Sequence, residues 1–168
     1  GGIRELPIKD GWNVLDDNLL ACSDEHITAV FEMLRGQNRL IEFTGGLEAA
    51  LLKPWMAHAM KKLRPKQMFF AYDTPDDLEP LRAAGKLLHD AGFKSHPSSH
   101  SLRCFVLCGF KGDRTDKAKK RMDETMAAGF TPMAMLWKGE TGKRDPVWGE
   151  FQREWARPQI IYAQRGKP

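Results

Sequence analysis

The sequence is poor in cysteine, with three cysteines among 168 residues. Small secreted domains held by disulfides carry more cysteines, in even numbers, so this count excludes a disulfide scaffold. No apolar run approaches the roughly 20 residues that a membrane helix needs. The first ten residues also lack the apolar core of a signal peptide. These absences predict a cytoplasmic protein with reduced thiols and no membrane partner.

A concentrated basic surface is also missing, although the net charge is +4. Lysines and arginines are interspersed with acidic residues along 117–124 and 150–157. That pattern is typical of solvated helix faces and not of a groove that follows a nucleic-acid backbone. We therefore expect a small-molecule ligand and no nucleic-acid partner.

The sequence does contain a regular alternation of short apolar runs and amphipathic stretches. The apolar runs are nearly continuous, as in parallel strands that are covered on both faces or closed into a barrel. Their starts recur at intervals of roughly 27 to 35 residues, the length of one βα unit. The sequence therefore predicts an α/β fold in which residues 1–138 form a partial, TIM-like (βα) barrel of about five units. The five runs lie at 12–15, 40–43, 68–72, 102–108 and 133–137.

Two of the predicted helices have explicit start signals. Ser23 precedes an amphipathic stretch and has the side chain of an N-cap residue. Thr74-Pro75-Asp76-Asp77 offers a capping threonine, a proline at the first helical position and an acid where a capping box has one.

Residues 139–168 form a C-terminal extension of different character. Trp148, Phe151 and Trp155 recur there at helical spacing. The extension is expected to be helical, and its aromatic side chains to pack on the barrel or on a partner.

Polar residues and glycines follow the apolar runs. In parallel βα folds, ligands bind beyond the carboxyl ends of the strands. Carboxylates and amides at that edge suit an amine, a ribose diol or a metal ion, and glycines let a ligand approach the backbone. The residues are Asp16, Asp17, Asn18, Glu42, Thr44, Gly45, Gly46, Glu48, Asp73, Thr74, Gly109, Gly112, Asp113 and Lys138.

Five segments at the predicted strands and their ends carry a family resemblance. They are WNVLDDNLLA at 12–21, EFTGGLE at 42–48, FAYDTP at 70–75, RCFVLCG at 103–109 and PMAMLW at 132–137. Together they resemble the radical S-adenosylmethionine superfamily, and within it a group of iron–sulfur oxidoreductase-like proteins. The resemblance spans residues 3–138. It implies a partial (βα)6 barrel in which a C-x3-C-x2-C loop after the first strand binds a four-iron, four-sulfur cluster. The methionine amine and carboxylate of S-adenosylmethionine chelate that cluster. The cluster reductively cleaves the cofactor, which starts radical chemistry on a substrate.

The resemblance also implies a role for each residue at the strand ends. The segment 16–18 would hold the methionine amine, and Tyr72 or Asp73 would bind the ribose. The segments 106–109 and 135–137 would contact adenine, and the end of the second run would line the centre of the cavity. The implied cofactor-binding residues are Asp16, Asp17, Asn18, Glu42, Thr44, Gly45, Tyr72, Asp73, Val106, Gly109, Met135 and Trp137.

One family feature is absent, because no C-x3-C-x2-C occurs in the sequence. Trp12 would begin the second strand of the family's barrel, so the first βα unit and the cluster cysteines are expected upstream of Ile3. The chain is then expected to be a fragment of a radical S-adenosylmethionine enzyme and inactive alone, with catalytic residues unknown. The sheet edge left by the missing unit, or the tryptophan-rich extension, would be a site of oligomerisation.

Two alternatives stay open from the residues. In one, Asp17, Glu42 and Asp73 hold a divalent cation in a lyase- or aldolase-like barrel enzyme that needs no cluster, since carboxylates suit magnesium or manganese. In the other, the chain is a non-catalytic binding module whose extension engages a partner through Trp148, Phe151 and Trp155.

Overall fold

The computed structural model describes residues 3–16, 18–94, 101–139 and 145–165. At its centre is a five-stranded, all-parallel sheet whose strands lie side by side in chain order. This confirms the α/β class and the repeated parallel βα units. The strands are β1 (Asn13–Val14), β2 (Glu42–Leu47), β3 (Gln67–Tyr72), β4 (Leu102–Cys108) and β5 (Thr131–Leu136). The helices are α1 (Asp24–Arg35), α2 (Pro54–Leu63), α3 (Leu78–Asp90), α4 (Thr115–Ala127), α5 (Pro146–Glu154) and α6 (Pro158–Arg165).

One face of the sheet packs against helices and holds the main apolar core. Strands in chain order with right-handed crossovers place their connecting helices on the same face. Phe43, Phe70 and Val106 point to that face and are almost completely buried among side chains of the helices. Phe70, for example, meets Phe130 edge-on with 5.1 Å between ring centroids.

The opposite face, which we call the open face, carries the alternate residues of each strand. Phe69, Arg103 and Thr131 lie there side by side, because Phe69 is in register with Arg103 and Arg103 with Thr131. Helix α6 reaches this face, where the Tyr162 and Thr131 hydroxyls are hydrogen-bonded at 2.9 Å. The open face is thus more polar than the helix-covered face.

The predicted bounds of β2 differ from the observed ones. The apolar run predicted a strand at 40–43 followed by a turn, whereas β2 begins at Glu42 and continues through both glycines to Leu47. Phe43 pairs with Met68 and Leu47 pairs with Phe70, so β2 contains a bulge between its two paired ends. Glycine within a strand commonly marks such a bulge, and Gly46 has a φ of 101°.

The capping predictions are confirmed. The Ser23 hydroxyl accepts a hydrogen bond from the His26 N–H at 3.2 Å. The Asp77 carboxylate accepts from the Thr74 N–H at 2.7 Å and from the Asp73 N–H at 2.9 Å. A single 3-10 turn at Pro75–Asp77 comes first, and α3 itself begins at Leu78.

Helix α5 covers the β5 edge of the sheet. Phe151 and Trp155 are buried, and the Trp155 carbonyl accepts a hydrogen bond from the Ala134 N–H at 3.3 Å. The aromatic residues of the extension therefore pack on the sheet of their own chain. Among the described helices, none has the length and apolar character needed to cross a membrane.

The other edge of the sheet is formed by the two residues of β1. Its surroundings are apolar and exposed, and they include Trp12, Leu15 and Leu40. Ile3, Leu6 and Ile8 in the preceding segment are exposed as well. An apolar, unpaired strand edge is a surface on which other chains pair, so oligomerisation through this edge stays a prediction.

Candidate functional site

A cleft of about 450 Å³ opens at the carboxyl ends of β2 and β3, the edge at which the sequence predicts a ligand site. Four residues implied by the family resemblance line it, namely Asn18, Gly45, Asp73 and Met135. The cleft combines carboxylates, an amide, two glycines and apolar side chains. Its other lining residues are Gly46, Leu47, Glu48, Ala49, Ala50, Ala71, Asp77, Pro80 and Phe105.

Asn18 presents an unsatisfied hydrogen-bond acceptor at this cleft. Its side-chain Nδ2 donates to the Glu48 carboxylate at 2.6 Å, which fixes the orientation of the amide. Its Oδ1 is buried and accepts no hydrogen bond from the residues that the structure describes. Because buried polar atoms are nearly always paired, this oxygen calls for an N–H or O–H donor from outside the described residues.

Asp73 and Asp77 have different roles although both line the cleft. Asp77 caps the helix, since its carboxylate accepts hydrogen bonds from the N–H groups of the strand-to-helix turn. Within the described part of the chain, no hydrogen bond reaches the Asp73 carboxylate, so this group is available to a ligand. Partial loss of hydration, and secondarily the charge of Asp77, raise the pKa of Asp73 above its ordinary value.

The floor of the cleft is flat and apolar. Ala71 and Phe105 are register partners on the open face of β3 and β4. The Phe105 ring lies on the Phe69 ring, with centroids 4.3 Å apart and planes inclined by 15°. Met135 of β5 is 45% exposed beside them. Such a surface suits the face of an aromatic base.

Gly45 lets two chain segments meet beside the cleft. A Cβ atom at this position would lie 2.1 Å from the Asp16 carbonyl oxygen, so only glycine allows the loop after β1 to pass so close. The Asp16 carboxylate accepts from the Asn18 N–H at 3.0 Å, which shapes the same loop. Gly45 and Asp16 thus position Asn18. Asp17, which the resemblance also implies, lies outside the described residues.

Glu42 does not reach the cleft. It begins β2 at the amino end, where it accepts hydrogen bonds from Lys66 at 2.8 Å and Gln67 at 3.0 Å. The hydrogen bond from Lys66 lowers the pKa of Glu42. Asp73 is six residues beyond Gln67, the register partner of Glu42, which corresponds to about 20 Å along a strand. Glu42 and Asp73 are therefore too far apart to bind one divalent cation.

Tyr72 and Val106 lie on the helix-covered face. They are register partners, and both are buried. The Tyr72 hydroxyl donates to the Glu124 carboxylate of α4 at 2.9 Å. Burial and this hydrogen bond raise the pKa of Tyr72 to about 12. Neither side chain lines the cleft, and their strand neighbours Ala71 and Phe105 do so instead.

The three remaining residues implied by the resemblance also lie outside the cleft. The Thr44 hydroxyl donates to the Asn13 side-chain oxygen at 2.8 Å. The Gly109 N–H donates to the Asp113 carboxylate at 2.9 Å. Trp137 is 42% exposed and meets Phe110 edge-on at 5.4 Å.

A second hollow of about 340 Å³ adjoins the cleft and shares Asp73 with it. An ion pair between Arg121 and Asp113, 2.6 Å long, fixes its wall. Burial by itself raises the pKa of Asp113, but hydrogen bonds from Arg121 and from the Gly109 N–H outweigh it and hold that pKa below its ordinary value. Arg121 also donates to the Leu107 carbonyl at 3.0 Å, so the pair joins α4 to the end of β4.

Replacing Asp113 with alanine should lower the free energy of unfolding by about 3 kcal/mol, because it leaves Arg121 largely buried without its counter-charge. Urea denaturation followed by circular dichroism measures the effect. Asp116→Ala is the matched control, since that carboxylate is 65% exposed and pairs with Arg114 at the surface. Equal stability of both variants and the wild type would contradict a structural role for the Arg121–Asp113 pair.

No metal centre is apparent in the described part of the chain. No group of three or more histidine, cysteine or acidic side chains there is placed to hold a metal ion. The three cysteines are free, and both Cys104 and Cys108 are buried. On β4 these two alternate with Phe105 and Leu107, so they point to the helix-covered face and away from the cleft.

Comparison of the chain with protein-family models, with curated proteins and with solved structures finds no match. The geometry of the cleft is therefore the basis for inferring a function.

Proposed function

We propose that the chain is the S-adenosylmethionine-binding part of a radical S-adenosylmethionine (βα) barrel enzyme, and that the cleft is the cofactor site. The observation that carries the proposal is the combination of groups in the cleft. Among the described residues, a buried acceptor without a donor, a carboxylate without a hydrogen bond and an apolar floor occur together at the carboxyl edge of a parallel sheet. Those groups complement an ammonium, a ribose and an adenine ring, respectively.

The polar groups suit the charged end of this cofactor. The ammonium group would bind to the Asn18 side-chain oxygen and the neighbouring Glu48 carboxylate. Asp73 would accept hydrogen bonds from the ribose hydroxyls, as carboxylates do more strongly than neutral acceptors. Glu48, Asp73 and Asp77 together give the cleft a negative charge, which favours a ligand that carries both an ammonium and a sulfonium.

The apolar groups suit the adenine ring. Phe105 offers a ring that is held flat by its stack on Phe69. Met135 offers a polarisable thioether beside it, and such groups contact aromatic rings favourably. Adenine binding between these side chains and ribose binding by Asp73 would fix the nucleoside end, while Asn18 and Glu48 would fix the methionine end.

The four-iron, four-sulfur cluster of the family does not fit the residues that the structure describes, because they contain no metal-binding group. The proposal for this chain is therefore the binding and orientation of S-adenosylmethionine. Cluster cysteines in a segment upstream of Ile3 stay a prediction from the resemblance.

Asp73→Asn should weaken the binding of S-adenosylmethionine by about tenfold, because a charged acceptor for the ribose becomes neutral. Isothermal titration calorimetry at about pH 7.5, well above the ordinary pKa of an aspartate, measures the dissociation constant. Asp76→Asn is the matched control, since Asp76 is an exposed acid in the same turn and does not line the cleft. Equal affinity of both variants and the wild type would remove Asp73 from the proposed site.

The pH dependence gives a second test of Asp73. Its raised pKa means that the folded state binds the proton more tightly than the unfolded state. The stability linked to this group is therefore greatest below the unfolded pKa and falls as the pH rises through the folded pKa. Asp73→Asn should consequently not lower the melting temperature at neutral pH. Cofactor affinity should fall on acidification in the wild type, and that decrease should be smaller in Asp73→Asn.

A further inference from the structure

Arg103 is a buried cation on the open face of the sheet. Only 7% of the residue is exposed, and its Nε has no hydrogen-bond partner among the described residues. None of the ion pairs in the described part of the chain involves it. A buried guanidinium without a counter-charge among the described residues is costly to the folded state, and a bound anion would offset that cost.

Aromatic rings separate Arg103 from the cleft. Its guanidinium lies over the Phe69 ring, 5.1 Å from the centroid. Phe69 in turn stacks on Phe105, which forms the floor of the cleft. The site around Arg103 is thus distinct from the cleft, on the other side of a two-ring stack.

The described register partners of Arg103 are neutral. Thr131 is its register partner on β5, and the Thr131 hydroxyl is hydrogen-bonded to the Tyr162 hydroxyl of α6. Phe69 is its register partner on β3. An apolar side chain of similar volume would pack in these surroundings without loss of hydration. The guanidinium, in contrast, is matched to the two oxygens of a carboxylate or phosphate, which it binds in a fork.

We propose that Arg103 binds an oxyanion, a carboxylate or a phosphate group, of a ligand that enters the open face. This site goes beyond the proposed cofactor cleft, whose carboxylates select a cation. The two sites have opposite charge preference, so each can fail without the other. A ligand with one anionic group would be held on the same face of the sheet as the cleft but beyond the Phe69–Phe105 stack, where α6 contributes Tyr162.

Nuclear magnetic resonance of the Arg103 Nε–Hε group tests the proposal directly. Formate and inorganic phosphate are titrated separately, with chloride at equal ionic strength as the reference. A saturable shift of this resonance with formate alone identifies a carboxylate site, and one with phosphate alone identifies a phosphate site. The absence of saturation with both anions, or shifts equal to those in chloride, would overturn the proposal. Arg103→Met assigns the resonance by removing it.

Thermal unfolding provides the second readout. At about ten times its dissociation constant, the bound anion should raise the melting temperature of the wild type by about 3 °C relative to chloride. Arg103→Met should lose this difference, whereas Arg35→Met should keep it, because Arg35 is exposed and pairs with Glu32. An equal anion effect in Arg103→Met and the wild type would overturn the proposal.

A conservative variant covers the case in which Arg103→Met does not fold. Arg103→Lys keeps the positive charge but lacks the two-pronged donor, so it should bind the same anion about tenfold more weakly. Wild-type affinity in Arg103→Lys would show that charge alone accounts for binding and would overturn the assigned bidentate role.

Discussion

Trp155→Ala should lower the free energy of unfolding by about 3 to 5 kcal/mol, the range for a large aromatic side chain removed from a core. The side chain is 1% exposed, and its ring lies 6.1 Å from that of Phe151. Both residues belong to the segment that covers β5, so the cavity would open between α5 and the sheet. Urea denaturation followed by far-ultraviolet circular dichroism measures the change.

Trp137→Ala is the matched control for this experiment, because it removes the same side chain from a position that is 42% exposed. Its effect should be within about 1 kcal/mol of the wild type. If Trp155→Ala instead kept wild-type stability and changed the oligomeric state, the aromatic residues would serve a partner. That result would favour the hypothesis of a non-catalytic binding module.

Gly45→Ala should both destabilise the fold and weaken cofactor binding. The added Cβ would meet the Asp16 carbonyl at 2.1 Å, and this neighbour is backbone that cannot rotate away. Overpacking of this kind costs about 1 to 3 kcal/mol. The loop after β1 has to move, which displaces Asn18 from the cleft, and we expect the affinity for S-adenosylmethionine to fall by about tenfold or more.

Gly11→Ala separates this effect from a general effect of removing glycine near β1. A Cβ at Gly11 would meet no atom within 4 Å, so the substitution adds a methyl group without a collision. Denaturation and calorimetric titration are measured for both variants at a temperature at which both are folded. A Gly45→Ala protein with wild-type stability and affinity would contradict the proposed positioning of Asn18 by this contact.

The sequence predicts the strands well where local chemistry is distinctive. The run at 102–108 is β4 residue for residue, because it is apolar apart from Arg103 and is bounded by polar or glycine residues. The Thr74-Pro75 signal places the start of the third helix within one turn. In contrast, Gly45-Gly46 resembles a turn when only local sequence is considered. Pairing with β3 keeps these glycines in the strand as a bulge, and pairing partners are not visible in the local sequence.

Continuous apolar runs also hide which side chains face a ligand. In QMFFAY, both Phe69 and Phe70 are apolar, yet they point to opposite faces of β3. Tyr72 has the polar tip expected of a site residue, but its hydrogen bond goes to Glu124, 52 residues away. Only tertiary structure reveals that contact. Phe105 is not among the predicted site residues, although alternation along the strand places it on the face opposite to Cys104 and Val106.

Chemical-shift mapping tests most directly whether the cleft binds S-adenosylmethionine. Titration of isotope-labelled protein should produce saturable, one-to-one shifts at Gly45, Gly46, Asp73, Phe105 and Met135. Signals of Glu42, at the far end of β2, should stay unchanged. The absence of saturable shifts, or saturable shifts only at residues outside the cleft, would contradict the account.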